Sequence, residues 1–496
     1  MYLMGYDAGT SSIKATLLDL STGNAAASVS YPPKEMPILS LRPGWAEQNP
    51  SDWWENLAAA TRLILDKTGA DPSAIKAVGI TYQMHGLVCV DKAKQVLRPS
   101  IIWCDSRAVP YGQKAAQHIG PDKCLQLMLN LPGNFTAAKL AWIKENEPDI
   151  YRRIDKIMLP GDYLAMKMTD RILTTKSGLS EGILWDFVHQ QLAEPVMDAF
   201  GFDLDIIPPV VDTFSIQGEL TQQAAAYLGL KAGTPVCYRA GDQPNNAFSL
   251  GVLHPGQVAA TAGTSGVVYG VADRPCWDKR SRVNTFVHVN HTDQNPRCGS
   301  LLCINGTGIL NSWLKHHTAG GQDYPQMNAL AASVPVGCEG LCILPYGNGA
   351  ERTLDNRIID ASIHGLNFNV HTQAHLFRAA QEGIVFAFQY GLEIMKQMGL
   401  DVRVIRAGRA NMFQSELFAK AFADVTQAAI ELYNTDGSQG AARGAGIGSG
   451  FYKTFEDAFC GLQKIGHIEP DCSRQEAWQQ AYKRWLDKLS VQLGRQ

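Results

Sequence analysis

The string Asp7-Ala8-Gly9-Thr10-Ser11-Ser12 returns later in the chain as Thr261-Ala262-Gly263-Thr264-Ser265-Gly266. Each copy stands between short apolar runs, the second between Gln257–Ala260 and Val267–Val271. Each half of the chain is therefore expected to carry one strand-turn-strand with Ala-Gly-Thr-Ser at its tip, and the whole to fold as two related halves. A length of 496 residues agrees, because it exceeds what one ordinary core organises. The expectation is an α/β chain of two domains, 1–246 and 247–496, with the boundary near Asn246.

The residues after each turn decide what the turn can do. A Walker loop needs GxxxxGK[ST] running from a strand into a helix, and the chain has no such string. Here Ile13-Lys14-Ala15-Thr16-Leu17-Leu18-Asp19-Leu20 follows, whose alternation favours a second strand. Successive backbone N–H groups in a tight glycine turn, with hydroxyls beside them, form an anion nest without a helix dipole. Two such turns can clamp a polyphosphate, whereas one alone is more often an ordinary hairpin.

Between the turns the pattern is α/β. Strands are expected at Ala77–Thr81, Leu87–Val90 and Val402–Ile405; Ile101–Trp103 leads into Cys104–Arg107, and a Pro-rich patch around Ile207–Val211 precedes the stretch Thr234–Arg239. Helices fit Trp53–Lys67, capped by Ser51 or Asp52, and Ala137–Asn146, Asp162–Met168 and Gln475–Leu489. His375–Lys396 reads as a long helix with Leu376, Ala379, Ala380, Gly383, Ile384 and Ala387 on one buried face. The run Gly440–Gly446 reads as a tightly packed helix.

Composition removes several classes. With 45% hydrophobic and 18% charged residues the chain reads as a globular enzyme. A net charge of −3 with dispersed Lys and Arg leaves no basic stripe for nucleic acid or an anionic membrane. No run approaches the roughly 20 apolar residues of a membrane span, and the first residues lack the basic and apolar regions of a secretory signal. The 11 cysteines show no zinc spacing, so reduced thiols and a cytoplasmic location are expected. His288-x-x-His291 and His316-His317 have no further ligands nearby in sequence. Gly444-x-Gly446 lacks the strand and distal acid of a dinucleotide fingerprint, and no Gly-x-Ser-x-Gly elbow occurs. Small molecules are the expected partners.

Beside the two turns stand Pro43–Pro50 with Trp53-Trp54, Gln83-Met84-His85-Gly86, Phe135–Trp142, Gly241-Asp242-Gln243, and Gly365 followed by Arg378–Gly383. In this order they resemble the FGGY carbohydrate kinases of the actin-like ATPase superfamily, and within them the xylulokinase branch, over nearly the whole chain. The resemblance implies two ribonuclease-H-like domains with an active-site cleft between them, Mg²⁺ with ATP as co-substrate, a sugar acceptor and a possible homodimer. The implied reaction moves the γ-phosphoryl of ATP to the C5 hydroxyl of D-xylulose.

Phosphoryl transfer needs charge neutralisation, in-line positioning and a group to take the hydroxyl proton. The resemblance gives the last role to Asp242, whose ordinary alternative is an Asx turn or helix N-cap. Asp7 would hold Mg²⁺ through water, with Asp242 as the second metal-side carboxylate, or else cap its own turn. Thr10, Ser11 and Lys14 from the first turn and Thr264 and Ser265 from the second would meet the phosphates; Lys14 is otherwise a solvated edge charge. Gly308, Trp313, Gly408 and Asn411 would meet the rest of the nucleotide. Arg406-Ala407-Gly408 replaces the family's three glycines there, so Arg406 either clashes with the nucleotide or contacts it. Met84, His85, Trp103, Asp105, Asp242 and Gln243 would line the sugar site; a core tryptophan and a salt-bridged Asp105–Arg107 pair are the ordinary alternatives. Gln243 stands where these kinases often carry asparagine. A kinase for sedoheptulose, ribulose or a polyol, and an actin-like ATPase or sugar sensor without turnover, remain the competing readings.

Overall fold

A computed structural model describes residues 1–494. The chain divides into two compact units, the first made of Met1–Gly251, Thr285–Cys298 and Thr435–Leu462, the second of Val252–Asn284, Gly299–Asn434 and Gln463–Gln496. Two segments from the later half of the sequence are thus built into the first unit. Reading the chain as two continuous halves does not anticipate this.

In the first unit the strands Tyr2–Ala8, Ile13–Asp19 and Ala25–Tyr31 form an antiparallel meander. Tyr2–Ala8 also pairs in parallel with Ile75–Tyr82, which pairs in parallel with Pro235–Gly241. Alternation along each strand separates two faces. Met4, Tyr6, Val78 and Ile80 pack with Trp53, Leu57 and Ile64 of the helix Pro50–Thr68. The cap of that helix is Asn49 rather than Ser51 or Asp52, with Pro50 at its first position. Proline lacks an N–H and its φ is already helical, so it suits that position and moves the start back.

The opposite face receives the helix Gly437–Gly448, here called the return helix, through Leu3, Ala77, Ala442 and Ala445. Gly5 and Gly79 are register partners on the two central strands. A Cβ on Gly5 would stand 2.0 Å from the Ser438 carbonyl oxygen, and one on Gly79 2.0 Å from that of Ala441. Sheet and helix therefore meet backbone to backbone, which explains the small residues on both sides. The hydroxyls of Thr16 and Ser438 add a 2.7 Å hydrogen bond across this seam.

The second unit repeats the motif. Gln257–Ala262 and Gly266–Ala272 form an antiparallel hairpin; the first of these strands pairs in parallel with Val404–Gly408, which pairs in parallel with Ala429–Tyr433. Both Ala-Gly-Thr-Ser strings thus cap hairpins whose first strand continues into a parallel sheet. The long helix runs Gln373–Gln397 and is buried all round from Phe377 to Phe388 rather than along one stripe, while Leu376 is only half-buried. The helix Gln475–Gly494 accounts for the added burial, since Phe386 meets both Trp478 and Trp485. No helix among the described residues is long and apolar enough to cross a membrane.

Candidate active site

Three parallel strands of the first unit end side by side, with Ala8 opposite Tyr82 and Tyr82 opposite Gly241. Ligands of open α/β sheets collect at such carboxyl ends. Beyond them lie the first turn, the segment Gln83–Gly86 and the helix Asp242–Ser249. Asp242 is the first residue of that helix and Gly241 its cap. Burial pushes the Asp242 carboxyl up to about 7, and the negative charge of Asp7 adds to the rise, against the Gln243 N–H and side chain, which pull it down. Asp7 is itself pushed up to about 6 by burial, lowered by Lys14 and raised by Asp436. Lys14 is exposed but register-paired with Asp7, so its charge bears on the site.

At the first turn the Gly9 N–H donates to the Ser12 carbonyl at 3.1 Å. The Thr10 hydroxyl donates to Gln83 Oε1 at 3.0 Å and accepts from Trp103 Nε1 at 2.9 Å, while the Ser11 side chain is exposed. Trp103 is 50% exposed and so is not a core tryptophan.

Met84 is buried, and a Cβ on Gly241 would stand 2.5 Å from its Cγ and equally close to Glu181 Oε2. His85 adopts the left-handed conformation at φ 63°. Its ring lies edge-on to Phe135, centroids 4.8 Å apart, and tilted against Phe286 at 5.5 Å. Nδ1 is 2.9 Å from the Glu181 carbonyl oxygen. A carbonyl only accepts, so Nδ1 carries the hydrogen and Nε2 of the neutral ring is the acceptor. The Glu181 carboxyl is fully buried and held well above the usual carboxylate range by desolvation.

Asp105 corrects the expectation of a sugar contact. It is fully buried, and its oxygens accept from the backbone N–H of Ala46 at 2.6 Å and of Arg107 at 2.8 Å. The Arg107 guanidinium binds it at 2.7 Å, reaches Glu47 at 2.6 Å and lies 3.7 Å from the centroid of Trp45. With its acceptors engaged in an ion network, Asp105 shapes the wall rather than meeting a ligand.

In the second unit the Gly308 N–H donates to the Gly263 carbonyl at 2.8 Å and that of Ile309 to the Thr264 carbonyl at 3.2 Å. These bonds tie the second turn to the start of the helix Gly308–His317. A cavity of about 390 Å³ opens there, lined by Gly263, Thr264, Asn311, Tyr324, Asn328 and Asn411 among others. Ser265 sits half-buried at the turn. Trp313 and Gly408 do not line this cavity, and Trp313 is 52% exposed against His317 instead. Arg406 does not line this cavity; its Nε lies 3.1 Å from Glu431.

The sequence reading assigned no role to Glu181, Phe286, Asp436 and Gly437, which carry no local motif, or to Lys139, which lies within the quoted run Phe135–Trp142.

Residues 2–249 match the N-terminal domain and residues 258–448 the C-terminal domain of the FGGY family of carbohydrate kinases. The chain belongs to this family and has its two-domain fold, of the ribonuclease-H-like, actin-like ATPase class; it is an ATP-dependent carbohydrate kinase. It is 30% identical over 486 residues to the xylulose kinase of Staphylococcus epidermidis (strain ATCC 12228 / FDA PCI 1200), covering 97% of this chain and 95% of that one. To the L-xylulose/3-keto-L-gulonate kinase of Escherichia coli (strain K12) it is 28% identical, covering 99% and 97%. The solved structure of a xylulose kinase from Rhodospirillum rubrum matches with a TM-score of 0.87 at 26% identity over 99% of both chains.

Proposed function

We propose that this kinase transfers the γ-phosphoryl of Mg·ATP to the C5 hydroxyl of D-xylulose, with Asp242 as the group that takes the hydroxyl proton. The observation that carries the reading is the Asp242 carboxyl at the end of a central strand, its proton affinity lifted to about 7 by burial beside Asp7. A base of that strength is matched to neutral pH. As the C5 oxygen forms its bond to the γ-phosphorus, the bond from that phosphorus to the β,γ-bridging oxygen breaks, the hydroxyl proton passes to Asp242 Oδ, and ADP leaves.

Asp7 and Asp242 are hard oxygen donors of the kind Mg²⁺ takes one or two of while keeping waters. Their mutual repulsion, visible in the raised proton affinity of Asp242, is what a cation arriving with ATP relieves. The metal neutralises phosphate charge. Thr10, Ser11 and Lys14 and the turn Thr264-Ser265 meet the phosphates, and the cavity beside Asn411 and Tyr324 takes the nucleoside. On the sugar side, Met84 forms an apolar wall, His85 Nε2 accepts from a hydroxyl, and the Gln243 amide and the Trp103 ring contact the chain of the sugar.

The names of the relatives support a ketose substrate, and the L-xylulose/3-keto-L-gulonate kinase favours one second reading, a different ketose at the same site. ADP production with Mg·ATP across D-xylulose, L-xylulose, D-ribulose, sedoheptulose, glycerol and gluconate tests the choice. The highest kcat/KM is expected for D-xylulose. A different winner overturns the substrate, and ADP release indifferent to sugar overturns the kinase reading.

A further inference from the structure

The helix Thr136–Asn146 carries a lysine, Lys139, that the proposed reaction does not use, and its side chain is fully buried. Its Nζ donates one hydrogen bond, 2.6 Å to the backbone carbonyl of His85. No carboxylate among the described residues lies within ion-pair distance of it. Such an ammonium, with three donors and one acceptor, is costly to bury. Desolvation accordingly pulls its proton affinity down to about 7, against the raising influence of Asp105, Cys104 and Glu181. Burying it serves no purpose for stability, because an apolar chain of the same length would pack there without the desolvation cost.

What the ammonium does hold is the strand tip. His85 is a non-glycine residue in the left-handed region, a conformation that persists only when its surroundings determine it. Two contacts come from the same short stretch of chain, the Phe135 ring against the imidazole and Lys139 on the carbonyl of the same residue. A third comes from Glu181, whose carbonyl sets the ring's tautomer and whose Oε1 lies 3.4 Å from the His85 N–H. Holding that carbonyl fixes the ψ of His85 and so helps keep the backbone that carries the imidazole in this conformation.

We propose that Lys139 is a positioning residue for sugar recognition, its buried ammonium clamping the His85 carbonyl so that the left-handed tip keeps the imidazole aimed at the sugar. This rests on the reading of His85 as a sugar contact.

Lys139→Met keeps length and apolar volume and removes the donor. The expected result is a KM for the best-used sugar raised tenfold or more, a KM for Mg·ATP within twofold of the parent and a melting temperature equal or higher. Lys139→Ala with added ethylammonium is the second arm, in which the amine restores part of the lost sugar affinity whatever the fate of the methionine variant. An unchanged sugar KM in Lys139→Met overturns the proposal. So does a lowered melting temperature with both KM values rising together and no rescue by the amine, which is the mark of a merely structural lysine. His85→Ala separates the two layers: a raised sugar KM there with none in Lys139→Met defeats the clamp alone, and no effect in either defeats the underlying reading of the sugar site.

Discussion

A Cβ on Gly437 would stand 2.5 Å from Oδ2 of Asp7, so the carboxylate at the end of the first strand holds the first residue of the return helix to glycine. The same Cβ would lie 3.0 Å from Asn246 Oδ1, so it would crowd a second polar group as well. Gly437→Ala should therefore lower kcat by at least tenfold. Overpacking of this kind costs about 1–3 kcal/mol, so thermal melting should show a folded but weakened protein. A variant with parental kcat would show that Asp7 has no fixed position to lose.

The raised proton affinities give a pH dependence of definite sign. A base acts only as carboxylate, so kcat/KM for the sugar should fall as pH drops, and because Mg²⁺ beside the two carboxylates would offset the Asp7 charge, the fall should lie below the value of about 7 to which burial and Asp7 lift Asp242 without metal. Stability runs the other way. A carboxyl whose folded-state value lies above its unfolded value of 3.8 binds its proton more tightly in the fold, so its ionisation destabilises the fold progressively as pH rises from about 4 to about 7. Asp242→Asn should melt at a higher temperature than the parent at pH 8, with the gap shrinking toward pH 5. Melting curves at the two pH values check it.

The second turn offers a test confined to the nucleotide. A Cβ on Gly308 would stand 2.4 Å from the Gly263 carbonyl oxygen, the acceptor of the Gly308 N–H. Gly308→Ala must push the turn away from the helix start. Steady-state kinetics should give a KM for Mg·ATP raised about tenfold, roughly 1.4 kcal/mol, with the sugar KM unchanged.

Arg406 should be dispensable for nucleotide binding although it stands two residues before Gly408. Its guanidinium is spent on Glu431, which Lys464 also holds at 3.0 Å. Arg406→Ala should leave the ATP KM within twofold and cost no more than about 1 kcal/mol of stability, the range of partly exposed ion pairs.

What the sequence made legible was local. Both Ala-Gly-Thr-Ser hairpins, the helix Gln373–Gln397 and the return helix follow from alternation, turn chemistry and helical spacing within a few residues. The groups around them are distant in sequence. Asp436 and Gly437 reach Asp7 only because the return helix belongs to the first unit, and Glu181 meets His85 only through the ends of separate elements. Lys139 sits in a helix where a lysine ordinarily faces water, so its burial had no signature. Asp105 shows the opposite case, in which the ordinary alternative of a pair with Arg107 describes its contacts. Trp103 and Trp313, equally readable as core residues, are both half exposed, because tryptophan's hydrophobicity does not say which wall it covers.

Whether Asp242 takes the proton from the sugar hydroxyl is read from single-turnover kinetics of Asp242→Asn with Mg·ATP and D-xylulose, with sugar affinity measured separately by equilibrium binding. Phosphoryl transfer should slow by about 10²–10⁴, a loss that raising the pH does not recover, with sugar affinity within a few-fold of the parent. Transfer within tenfold of the parent at undiminished sugar affinity would contradict that role for Asp242.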